Sequence, residues 1–438
     1  MREMKDSGIE WIGEIPKDWK IGCIKNIIEV LTDYTANGSF ADLAKNVHYL
    51  NNDGFARLVR LTDLRLDLSN DDGVYVSEKS YNYLAKSSLF GGEILVANVG
   101  AYAGLFCEMP QKEGRFTLGP NMFLLRTNKR MIQHYLYYLG QTKCVKEQLA
   151  QKAISSAQPK LNKTDLKTVF IVIPSIVEQQ HIVDFLTSKC SEIDATAEDI
   201  QKEITLLEDY KKSLVYNVIS NGINHSIYST ESDEVWGNLP QGWKLVDIKY
   251  LFEIVKRIAG KEGYDVLSVT QKGLKIKDIT SGDGQLADNY SGYQFVYPTD
   301  YVMNHMDLLT GWVDCSELFG VTSPDYRVFR LMDKAANNLV YYKYVMQCCY
   351  MNKIFYSLGQ GVSNLGRWRL QTSSFNNFKV PVPTKAEQDE IADFLDTKCS
   401  EIDSLIADKK RQLDILADYK KSLIYEYVTG KKEVPVNE

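Results

Sequence analysis

The sequence predicts an α+β fold: two globular mixed α/β domains separated by two long helical repeats, packed as an antiparallel coiled coil with pseudo-two-fold symmetry. Three observations carry this. The segments Glu178–Tyr216 and Glu387–Tyr425 align without a gap, with about 21 of roughly 39 positions identical at a constant offset of about 209 residues. Both copies space their apolar residues in alternating steps of four and three, which is a heptad seam. A turn-rich opening with two tryptophans around a proline also recurs, as Ile9–Trp19 and Val235–Trp243, so the duplication reaches the whole unit.

Taken in order, the expected organisation is a first domain over 1–172, a first helical spacer over 173–222, a second domain over 223–381, a second spacer over 382–430 and a tail over 431–438. In the first domain, Ala56–Leu61, Glu93–Val99, Met122–Arg126 and Val169–Ile173 are strand candidates, rich in Leu, Val and Ile. Met131–Gln151 has helical spacing, and the polar stretch Lys152–Lys167 follows it. The second domain repeats the order. Asp265–Val269, Tyr293–Val296, Asp307–Leu309, Tyr326–Leu331 and Asn377–Val382 are strand candidates, Asn338–Ser357 is a helix, and Gly359–Phe378 is the polar stretch. Ser175-x-x-Glu178 and Thr384-x-x-Glu387 match the capping box, so each repeat helix starts just after a proline. The seam runs through Leu186, Cys190, Ile193, Ala197, Ile200, Ile204 and Leu207, and again through Leu395, Cys399, Ile402, Ile406, Leu413, Leu416 and Leu423, interrupted by Lys409, Lys420 and Tyr427. A seam this narrow needs a partner, and each copy can bury the other's stripe.

Composition narrows the class. The chain has 438 residues, 44% hydrophobic and 25% charged, with eight scattered cysteines and no C-x-x-C pair, which fits a reducing, cytoplasmic setting. No apolar run approaches the length of a membrane span. The net charge of −6 is unevenly spread. Residues 1–170 sum to about +3, 171–222 to about −5, 223–383 to about zero and 384–438 to about −4. The acidity belongs to the repeats, and the domains between them are neutral to slightly basic.

No catalytic constellation is present. The sequence lacks a phosphate-binding G-x-x-x-x-G-K-[ST] loop and the tetrapeptide of amino-methyltransferases, and its five histidines have no metal-ligand spacing. Asp209-Tyr210-Lys211 and Asp418-Tyr419-Lys420 combine an acid with a lysine, but on helical repeats where charges face water. The matched polar stretches are the candidate site. The first offers Lys152, Ser155, Ser156, Gln158, Lys160 and Lys163, and the second Ser363, Asn364, Arg367, Trp368 and Arg369. Arg reads guanine bidentately, Asn and Gln read adenine, and Lys and Ser hold phosphate. A solvated loop is the plain alternative for any one of these residues. A protein-docking scaffold without DNA binding is the alternative for the chain, and a salt titration of DNA binding separates the two.

These residues support a family. The passages IVIPSIVEQQHIVDFL and VPVPTKAEQDEIADFL, the openings SGIEWIGEIPKDW and EVWGNLPQGW, the run Gly92–Leu95 and Ser323-Pro324-Asp325-Tyr326 resemble the specificity subunit of Type I restriction–modification enzymes. The resemblance implies two target-recognition domains, each reading one half-site of a bipartite double-stranded DNA target. It implies a non-catalytic chain on which two methyltransferase subunits dock, joined by restriction (motor-nuclease) subunits. S-adenosylmethionine and Mg/ATP would then sit on those partners, with no cofactor or metal on this chain, and the methyltransferases would flip out the target adenine.

Overall fold

The computed structural model describes residues 2–51, 53–153, 158–224, 227–279, 287–361 and 368–435, apart from the side chains of residues 230 and 231. The chain forms two compact units, one made of residues 1–199 with 412–438 and the other of residues 200–411.

In the first unit the strands β1 (Ile28–Asp33), β2 (Ile94–Ala97), β3 (Phe106–Glu108) and β4 (Met122–Thr127) form an antiparallel sheet in the order β1-β4-β2-β3. All four residues of β2 are buried, because both faces of the sheet are covered. Ile94 and Val96 face a core built with the helices, and Leu95 faces a smaller core shared with Leu118 and Leu124. Beyond it lies a five-stranded sheet ordered Tyr49–Leu50, Val74–Val76, Ala56–Val59, Phe116–Leu118, Ser88–Leu89. The helical run expected over Met131–Gln151 is two helices, α1 (Gln133–Gln141) and α2 (Lys143–Lys152). They break at Thr142, whose backbone is extended and whose hydroxyl donates to Leu139 O at 2.6 Å. Gly140 lets the Phe106 ring lie directly against α1, where a Cβ would collide with it.

The repeat helix α3 (Ile176–Asn221) is continuous for 46 residues, about 70 Å at ~1.5 Å per residue. The second unit repeats the sheet with β5 (Phe252–Val255), β6 (Tyr301–Met303), β7 (Val313–Cys315) and β8 (Arg327–Leu331), in the equivalent order β5-β8-β6-β7. The stretch Asp307–Leu309, expected as a strand, is a turn. The Asp307 carboxylate accepts from Leu309 N and Thr310 N, both at 3.0 Å, and so replaces the ladder bonds. The helix expected over Asn338–Ser357 is α4 (Leu339–Met351) plus a short helix Ile354–Ser357, divided at Lys353, which sits at φ +56°. The second repeat helix is α5 (Lys385–Val428), 44 residues long.

The expected seam is buried in part, with Ile193, Ala197, Leu207, Leu413 and Leu416 only half-buried. Leu186, Cys190, Ile200 and Ile204 of α3 are buried, as are Leu395, Cys399, Ile402 and Ile406 of α5. Within each unit the helices run antiparallel. In the first, Asp194 pairs with Lys420 at 2.6 Å, and Phe185 packs on Tyr427. In the second, Lys211 pairs with Asp403 at 2.7 Å. These are one ion pair seen twice, Asp194 corresponding to Asp403 and Lys211 to Lys420 at the repeat offset. Each core therefore takes the beginning of one repeat and the end of the other: Leu186 with Leu423 and Val428, and Leu395 with Val215 and Ile219.

The repeat helices begin with a device the capping box only half describes. In the second copy the box is complete: Thr384 N donates to Glu387 at 2.9 Å and Glu387 N to the Thr384 hydroxyl at 3.4 Å. In the first, Glu178 N reaches Ser175 at 3.3 Å, but the Glu178 carboxylate turns to Arg2 and to Trp19 Nε1 at 2.9 Å. Trp243 Nε1 likewise donates to Glu387, at 3.1 Å. The tryptophan of each opening motif thus marks the start of its own repeat helix.

Candidate nucleic-acid interface

Both polar stretches hang from the same scaffold. In the first unit, Leu161 N donates to Asn98 O and Gly100 N to Pro159 O, both at 2.9 Å, and Lys160 bridges Val99. In the second, Leu370 N donates to His305 O at 3.0 Å and Leu308 N to Trp368 O at 3.2 Å. Pro159 and Trp368, and Leu161 and Leu370, stand 209 residues apart. Each pair of bonds ties the returning end of a polar stretch to the turn after the central strand, β2 or β6. Leu161 and Leu370 are buried and act as the anchors. The short helices Lys163–Lys167 and Thr372–Asn376 then lead into the edge strands Phe170–Ile173 and Lys379–Val382, again at the same offset.

The expected site residues divide by position. Lys152, Gln158 and Lys160 are exposed on the first unit and Arg369 on the second. The three cations among them carry no ion pair among the described residues. Ser155, Ser156, Ser363, Asn364 and Arg367 lie outside the described residues. Lys163 is already engaged, with its ammonium 2.9 Å from the Asp33 carboxylate. Trp368 is partly buried against Tyr356 with ring centroids 5.0 Å apart, so its ring supports the base of the loop.

The sequence reading missed the groups beneath the loops. Arg327 of β8 is buried, donates to Leu370 O at 3.0 Å and lies over the Phe375 ring, 4.5 Å from its centroid. Burial lowers its pKa to about 10. Burial also pushes the neighbouring His305 imidazole down to about 3, with the charges of Arg327 and Arg369 adding to the effect, so His305 is neutral at pH 7. A polar cleft of about 580 Å³ opens here, lined among others by Ser268, Asn304, Ser323 and Tyr326. In the first unit the corresponding turn exposes Tyr102 beneath the Arg65 guanidinium, 4.7 Å from the ring centroid. No local sequence pattern marks these residues, because strand order brings them together. Among the described residues no group of His, Cys, Asp and Glu could hold a metal ion, and no helix is long and apolar enough to cross a membrane.

One domain design used twice, with a polar loop pinned at the same place each time, defines a tandem recognition protein. The family model for the type I restriction modification DNA specificity domain matches residues 16–206 and again 240–414. A candidate MjaX type I restriction enzyme specificity subunit of Methanocaldococcus jannaschii is 26% identical over 451 residues, covering 97% of this chain and 96% of its own. The MjaIX specificity subunit of the same organism is 30% identical over 263 residues, 57% of this chain and 54% of its own. A chain solved in work on complex assembly and conformational transition of the type I R-M system has a TM-score of 0.67. It covers 95% of this chain and 99% of its own at 13% identity, a likeness of fold. The chain belongs to this family, as the specificity subunit of a type I restriction–modification system with DNA target-recognition domains.

Proposed function

We propose that each unit reads one half-site of a bipartite duplex DNA target through its polar loop. The loops around Lys152–Lys163 and Ser363–Arg369 face the DNA, and the acidic repeats face protein or solvent. The observation that carries this is the matched anchoring of the two loops at Asn98–Leu161 and His305–Leu370. A duplicated frame holding loops of different sequence suits a target with two different halves. Methylation and cleavage then reside in partner subunits, which bind S-adenosylmethionine and Mg/ATP, in the cytoplasm. Two methyltransferase subunits dock on the repeats. Supporting this, Leu206 and Tyr210 of α3 are exposed on one helix face, and so are their counterparts Ile415 and Tyr419 of α5. The restriction subunits join that assembly. Mapping methylated adenines in DNA exposed to the full complex gives both half-sites and their spacing. A single contiguous recognition sequence, or no sequence preference, would sink the reading.

A further inference from the structure

A second duplicated device lies at the other end of the central strand. In the first unit, Glu93 immediately precedes β2, is almost fully buried, and accepts from Phe90 N at 2.9 Å. Its carboxylate also pairs with Arg126 at 3.1 Å, and that guanidinium lies 5.3 Å from the centroid of the Phe90 ring. In the second unit, Asp300 immediately precedes β6, is equally buried, and accepts from Tyr297 N at 2.9 Å. It pairs with Arg257, whose guanidinium lies 4.8 Å from the Tyr297 ring centroid. Phe90 is 70% exposed; Tyr297 is 42% exposed and also packs against Phe319 and Phe295, with ring centroids 5.2 and 6.1 Å away.

The arginines come from different places. Arg126 lies on β4, whereas Arg257 lies just past β5, the neighbouring strand of the equivalent sheet. The aromatic and the acid have changed identity as well. The same three-part arrangement is thus built from different parts, which sheet packing alone does not require. It stands away from the polar loops, since β2 and β6 run from these turns towards Asn98 and His305. In the first unit it adjoins the repeat start instead. Gln133 donates to Gly92 O in the first turn, and Ile132 N donates to Gln179 of α3 at 2.8 Å.

We propose that Phe90 and Tyr297, each backed by its arginine, are matched docking anchors for one protein partner bound in two copies, one per unit. The buried carboxylate neutralises each guanidinium, so the patch offers phosphate no net charge. An uncharged, rigid aromatic over a guanidinium suits a desolvated protein contact, where aromatic and arginine side chains dominate the energetics. Duplication calls for the same partner twice. Resting on the reading above, that partner is the methyltransferase subunit.

The test uses the full chain with its methyltransferase subunit, measured by native mass spectrometry and titration calorimetry. Phe90→Ala and Tyr297→Ala each weaken one of the two binding events by about tenfold or more, and the double variant weakens both. Phe90→Tyr retains binding. Phe90 is mostly exposed, so Phe90→Ala leaves the melting temperature unchanged. Tyr297 also packs on Phe295 and Phe319, so its variants are compared well below their melting temperature, and Phe90→Gln and Tyr297→Gln give a second pair should an alanine variant fold poorly. A double variant that binds two copies at wild-type affinity overturns the proposal. So does a loss confined to DNA affinity, which would make the patch a nucleic-acid contact. A wild-type chain that binds no methyltransferase sinks the functional reading itself, and this inference with it.

Discussion

At the scale of single residues, the duplication is most informative where it is buried. Gln179 and Gln388 are repeat partners with almost no exposure. Gln179 Oε1 accepts from Ile132 N and Gln388 Oε1 from Asn338 N, both at 2.8 Å. Their amide nitrogens donate to Pro174 O at 3.0 Å and Pro383 O at 3.1 Å. Each side chain therefore ties a repeat helix to the residue that starts a domain helix. Replacing either by Ala leaves buried donors and acceptors unpaired, at a cost of about 1–3 kcal/mol. Urea unfolding should show similar losses for the two variants, and two midpoints equal to wild type would refute the role. Asp63 gives a pH-dependent counterpart confined to the first unit. Burial alone would raise its pKa, but bonds from the Arg60 side chain and backbone and from Asn70 outweigh it and hold the carboxyl below its usual range. A depressed folded pKa contributes stability that is present above the unfolded value, about 3.9, and lost as pH falls through the folded one. The stability difference between wild type and Asp63→Asn should be largest near neutrality and shrink towards pH 3. A difference independent of pH would contradict this.

At the scale of elements, what the sequence revealed follows from how far each signal extends. The repeat helices were readable because a heptad pattern over some forty residues leaves little choice of period. Eight of the nine strand candidates are strands, all but Asp307–Leu309, whereas three-residue strands such as Phe106–Glu108, Phe116–Leu118 and Val313–Cys315 carry too little alternation to stand out. The capping boxes were found, but the shift of Glu178 to Trp19 depends on a partner 159 positions away. The loops were legible by residue type and by the repeat offset, which still holds at Pro159 and Trp368. The Lys163–Asp33 pair and the Arg327–His305 base were not, because only the folded sheet joins them. These placements sharpen a prediction for the loops. Lys160→Ala should weaken DNA binding across sequences and lower the salt slope by about 1, as loss of a phosphate contact does. Arg369→Ala should relax only the half-site read by the second unit. Filter binding over a salt series on matched and altered half-sites checks both, and unchanged affinity in both variants would remove these loops from the interface.

At the scale of the whole chain, the division of labour rests on continuity. α3 has no break along its 46 residues, so it passes from one unit to the other as a single helix. Each unit closes its core on the start of one repeat and the end of the other. A recognition chain built this way cannot alter one repeat without altering the fit of both. Matched insertions in both helices preserve the seam. Seven residues keep the heptad register and lengthen each helix by about 10 Å at ~1.5 Å per residue. That is roughly three base pairs at about 3.4 Å per step. If the repeats set the distance between the two readers, a chain with one heptad added near Glu198 and one near Ala407 should leave both half-sites unchanged. The preferred gap between them should increase by about three base pairs, as read from the methylated adenines. A preferred gap that stays at the wild-type length in a folded, methylating complex would show that the spacing is set elsewhere, in the partner subunits or in the DNA.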